Sequence, residues 1–117
     1  MRRIILAFVA ATVMCSAADL TGNWSGTLAL NNGDQPGYLV LTQKEHQVTG
    51  TAGADASKQV PLVKGIVDGP NVILEAKPGP ATLRFALRVS DDRQNLRGDV
   101  YENDDKIGTA SFRRVLK

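Results

Sequence analysis

From Leu20 onward the apolar residues of this chain recur on alternate positions in short runs, without the three-to-four spacing of a helix. The cleanest run is TLRFALRV. Leu83, Phe85, Leu87 and Val89 share one phase, while Thr82, Arg84, Ala86 and Arg88 share the other. In a strand the two sets point to opposite faces, so the first set is expected in the core. By the same phase Leu39 and Leu41, Val72 and Leu74, Leu96 and Val100, and Phe112 point inward, as do Leu20, Trp24 and Leu28 in the first strand.

Polar clusters, all but KEHQ at 44–47 containing Gly, Pro, Asn or Asp, break these runs at residues 31–37, 44–47, 54–57, 68–71, 78–80, 91–95 and 103–106. Such residues tolerate or preset the backbone angles that reverse a chain. Seven breaks leave eight strands. Connections this short favour an antiparallel meander over a Greek key, which needs one long connection. Closing eight strands into a barrel removes two exposed edges, so the expected fold is all-β, an eight-stranded antiparallel up-and-down barrel. A β-sandwich is the alternative.

The N-terminus reads differently. MRRIILAFVAATVMCSAAD has two arginines, an apolar run over residues 4–14, and Ser16 and Ala18 placed for cleavage. This is the pattern of a secretory signal peptide over residues 1–18, leaving residues 19–117 as one domain. The run is well short of the roughly 20 apolar residues of a membrane-spanning helix. Lipidation at Cys15 is the alternative processing, disfavoured by the bulky Met14 before it. A periplasmic or secreted location in a bacterium follows, with no membrane partner after cleavage. Cys15, the only cysteine, would leave with the leader, so the hydrophobic core must hold the domain without a disulfide.

Loss of the leader also changes the charge. Arg2 and Arg3 leave, so 14 basic residues become 12 against 12 acidic ones. A neutral domain gives no support for a nucleic-acid or anionic-membrane partner. Arg84, Arg88 and Arg97 share an outer phase, but Asp99 alternates with Arg97, which reads as a solvated surface of mixed charge.

Little in the chain points to catalysis. His46, the only histidine, stands at a hairpin tip without a second metal-ligating partner. Ser25 and Ser111 lack an oriented base. Asp91 with Asp92, and Asp104 with Asp105, fit turns better than acid/base pairs or a calcium site. Residues 50–53, GTAG, lack the lysine and following helix of a phosphate loop. No enzyme activity, cofactor or metal is expected.

Gly22, Asn23 and Trp24 resemble the Gly-x-Trp signature of the calycin superfamily, which includes lipocalins, fatty-acid-binding proteins and avidins. The resemblance implies that Trp24 packs across one end of the barrel with an arginine of the last strand against it. In ASFRRVLK that arginine is Arg114, in phase with Phe112, while Arg113 points to solvent. LTGNW and VTGT look most like avidin segments, but Gly26 and Ala52 stand where biotin-binding residues would be, and Trp24 is the only tryptophan. The biotin site therefore does not carry over. The chain also resembles small exported bacterial proteins with the order LTGxW, LxLxQ, VTGTxG and a closing arginine. Small periplasmic metalloprotease inhibitors share the Gly-x-Trp start, but use an N-terminal arm and a disulfide; here only Asp19 to Thr21 precede the motif.

An eight-stranded barrel is just wide enough to be filled by side chains or to hold one small ligand. Gly26, Gly50, Ala52, Ala76, Gly98 and Ala110 share the inward phase and either leave a void or relieve crowding in a coiled barrel. Two functions follow. A binding module would hold a small apolar or amphipathic ligand against Leu39, Leu41, Leu74, Phe85 and Leu87, with Gln43 and Glu102 as polar contacts. A protein-interaction or protease-inhibitor barrel would act on a protein partner through its outer surface, as Tyr38 and Tyr101 would favour if adjacent. The oligomeric state is left open by the sequence.

Overall fold

A computed structural model describes residues 19–115; the expected signal peptide and Cys15 lie outside the described residues. Eight strands run in chain order: β1 (Gly22–Leu30), β2 (Gly33–Lys44), β3 (Gln47–Gly53), β4 (Gln59–Asp68), β5 (Asn71–Ala76), β6 (Leu83–Val89), β7 (Asn95–Glu102) and β8 (Asp105–Arg114). Each pairs antiparallel with the next, and β8 pairs with β1 to close the barrel. The expected all-β meander is therefore the fold observed, and the sandwich is not.

The first break is narrower than its composition suggests. β2 starts at Gly33 and pairs with β1 from Leu30↔Gly33 to Gly22↔Leu41, which leaves Asn31 and Asn32 as the turn. Residues 33–37 lie beyond the β2–β3 ladder, which begins at Tyr38↔Gly53. The Tyr38 carbonyl accepts from Gln59 Nε2 on that open side. Strand parity gives Pro36 the same orientation, so the edge lacks a backbone donor there. Proline on such an edge discourages pairing with another chain.

β4 departs from simple alternation. Its register against β5 shifts between Leu62 and Lys64, where one extra residue sits opposite Ala76 and Glu75. A bulge of this kind reverses the side-chain phase. Gly65 and Val67 then face inward, opposite Leu74 and Val72, while Ile66 turns outward opposite Ile73. Val63 and Ile66 are left 60% and 41% exposed.

The inward set packs into one core. Leu39, Leu41, Val72, Leu74, Phe85, Leu87, Leu96, Val100 and Phe112 are all buried, as the alternation predicts, and Val48 and Val67 join them. Phe85 and Phe112 meet edge to face, their centroids 6.4 Å apart. The glycines explain how strands approach so closely. A Cβ at Gly26, Gly50 or Gly98 would overlap the backbone of the adjacent strand. Of the two roles open to these three glycines, leaving a void or relieving crowding, the close backbone approach favours the second.

Candidate functional site

The two ends of the barrel differ. At one end Trp24 is fully buried, and its Nε1 donates to the Leu20 carbonyl at 3.0 Å. Leu20, itself buried, donates its N–H to Gln43 Oε1 at 2.8 Å, and Gln43 Nε2 donates to the Glu45 carbonyl. The Arg114 guanidinium lies 4.4 Å above the indole centroid. It also donates to the carbonyls of Thr21, Asp19 and Arg93. Gly22 makes room for this, because its φ is +140° and a Cβ would sit 3.2 Å from Arg114 Nη1. The Asp19 carboxyl is held below its usual range by hydrogen bonds from the Thr21 hydroxyl and N–H, with the Arg114 charge adding to them. Arg113 is exposed, as expected. This end is sealed.

The opposite end is open. The outgoing ends of β1, β3 and β5 and the first residues of β2, β4 and β6 surround a hollow of about 250 Å³. Leu28, Leu39, Ala52, Ala76, Phe85 and Phe112 give it apolar walls, while Gln35, Tyr38 and Lys58 contribute polar groups. Gly37 matters here, since a Cβ would come within 2.9 Å of the Phe112 ring. A second hollow of about 420 Å³ adjoins it, sharing Leu28, Gln35 and Leu83, with Leu30, Ile107 and Glu102 beyond. Leu28, Leu30, Leu83 and Ile107 are only partly buried, so apolar side chain is presented to solvent at this end.

The seven residues expected to contact a ligand divide by depth. Leu39 and Phe85 line the first hollow. Leu41, Leu74 and Leu87 have the expected inward phase and are buried in the core, but they do not line either hollow at the mouth. Gln43 is at the sealed end, engaged with Leu20 and Glu45. Glu102 does border the second hollow. Alternation specifies which face a residue takes, not its height along the barrel axis. Leu28, Tyr38, Lys58 and Leu83 at the mouth were not among the seven. The sequence held a signal for them: in a meander alternate turns share an end, so residues beside the 31–32, 54–58, 77–82 and 103–104 connections gather at one mouth.

His46 is exposed at its turn, with Nδ1 3.1 Å from the Val67 carbonyl. Asn103 and Asp104 have positive φ and form the two-residue turn between Glu102 and Asp105. Tyr38 and Tyr101 are not neighbours, because β1 and β8 separate β2 from β7. No protein-family model and no curated protein matches the chain. The closed eight-stranded meander is compatible with a calycin-like fold.

Proposed function

We propose that this chain is an exported, calycin-like binding barrel without enzymatic activity that holds a small apolar or amphipathic molecule at its open mouth. The observation that carries this is the asymmetry of the ends: one is plugged by Trp24, Leu20 and Arg114, while the other has an apolar hollow of about 250 Å³. A dry apolar cavity of about 150 Å³ already accommodates benzene. The hollow thus suits a short alkyl chain or single ring, with a polar group directed to Tyr38, Gln35 or Lys58. Such a ligand buries little area, so affinity is expected to be modest. A second role, contact with a protein partner through the outer wall, is favoured by the exposed Val63 and Ile66 on β4 and Val40 on β2.

The test uses a neutral apolar fluorophore, N-phenyl-1-naphthylamine, with native mass spectrometry of protein purified from its own host. Ala54 is exposed at the rim, so Ala54→Trp would obstruct the hollow without disturbing the core. Saturable fluorophore binding by the native chain, weakened about tenfold in the variant at unchanged thermal stability, is expected for a contact worth ~1.4 kcal/mol. An empty native protein that also fails to bind the fluorophore would remove the ligand-binding function. Equal binding by both chains would move it away from this mouth.

A further inference from the structure

We propose that Arg88 and Arg97 form a second site, on the outer wall, for a tetrahedral oxyanion: a phosphate or sulfate, free or as a monoester. The β6–β7 register sets Arg88 directly opposite Arg97, and both are exposed on the outer face. Directly opposed residues of antiparallel strands have Cβ atoms about 4.5–5.5 Å apart, where like charges destabilise the pairing. Asn71 stands opposite Arg88 on the β5 side and Ser111 opposite Arg97 on the β8 side, so the two arginines lie within a polar row across four strands. Arg88 Nη1 reaches Asn71 Oδ1 only at 3.4 Å.

Two other cations of this wall have partners, whereas Arg113, diagonal to Arg97 on β8, has no carboxylate within 4.0 Å among the described residues. Arg84 lies 3.5 Å from an Asp104 oxygen and stacks on Tyr101 at 4.6 Å, and Lys106 lies 3.3 Å from Asp99. Asp99 is the carboxylate nearest Arg97 along β7 on the same face, and Lys106 engages it. Among the described residues, neither Arg88 nor Arg97 has a carboxylate within 4.0 Å. Beside the pair, Ser90, Asp91 and Asn95 line a shallow depression. Asp92 accepts hydrogen bonds from the Ser90 hydroxyl and the Gln94 N–H.

Two arginines opposed on adjacent strands can converge on one tetrahedral anion, to which each guanidinium can donate two parallel hydrogen bonds. A bound dianion would also offset the repulsion between the two opposed arginines. Neutralising either arginine should stabilise the free protein and remove the anion response together. The site is on the wall and does not depend on the mouth binding anything.

Thermal unfolding and amide chemical shifts are followed during titration with millimolar inorganic phosphate, against sodium chloride at matched ionic strength. The chains are the native protein, Arg88→Gln, Arg97→Gln and, as a control away from the pair, Lys64→Gln on β4. Saturable phosphate-dependent stabilisation is expected for the native chain and Lys64→Gln. Each pair variant should weaken phosphate binding about tenfold or more, while unfolding at a higher temperature than the native chain in chloride at low ionic strength. Phosphatidylcholine vesicles with and without phosphatidic acid separate the sources. Retention only on the acidic vesicles, lost in both pair variants, assigns the anion to a membrane phosphomonoester; a phosphate response without retention assigns it to a soluble one. The proposal is overturned if native and pair variants respond alike to phosphate, or if none responds.

Discussion

Arg114 is the residue on which the sealed end most depends. It stacks on Trp24 and donates to three backbone carbonyls, two of them in the segment that leads into β1. Lysine can supply a charge over the indole but not a planar fork that reaches several acceptors. Arg114→Lys is therefore expected to lower stability by about 1–3 kcal/mol in urea unfolding, with carbonyls left unpaired. Arg113→Lys, next to it and exposed, should change stability by less than about 0.5 kcal/mol. Comparable losses for both would mean that the contacts of Arg114 contribute nothing particular. The Gly-x-Trp pattern and the phase of the last strand made this arrangement legible in the sequence. The carbonyl of Arg93 as a further acceptor was not legible, because it comes from a turn distant in sequence.

At the scale of elements, the hairpins follow local chemistry. Asn103 and Asp104 hold φ of 50° and 77° between the paired residues Glu102 and Asp105. Two successive positive φ values are the mark of a type I′ turn, which favours Asn, Asp and Gly. Asp104→Gly should be nearly neutral, since its ion pair with Arg84 is largely solvated and of little value. Asp104→Val should cost about 1–2 kcal/mol, the penalty of a Cβ-branched residue in the left-handed region. Equal thermal stability of the two variants would contradict this account of the turn. The bulge in β4 is an element-scale feature that alternation alone misplaces. QVPLVKGIVD has apolar residues in both phases, and only pairing with Leu62↔Ala76 on one side and Gly65↔Leu74 on the other decides where the phase reverses.

For the whole molecule, closure joins β1 to β8 and places every strand against the same core. A single core with no free-standing layer is expected to unfold in one cooperative step. Trp24 is the only tryptophan and is buried at the sealed end, so its fluorescence reports that end. Far-UV circular dichroism reports the sheet as a whole. Their urea transitions should coincide; an earlier fluorescence transition would identify the Trp24 end as a separately unfolding unit.

The sequence by itself determined the strand number, the meander and the inward face of most strands, each from a local cause: period-two alternation or the backbone preferences of turn residues. The tryptophan–arginine closure was implied by the Gly-x-Trp resemblance, with phase choosing Arg114 over Arg113. Tertiary structure alone decided which inward residues line the mouth. Leu41, Leu74 and Leu87 share a phase with Leu39 and Phe85 yet line neither hollow, because height along the axis depends on strand stagger and tilt. It also decided that Arg88 faces Arg97, a juxtaposition created by the register between two strands and carried by neither strand alone.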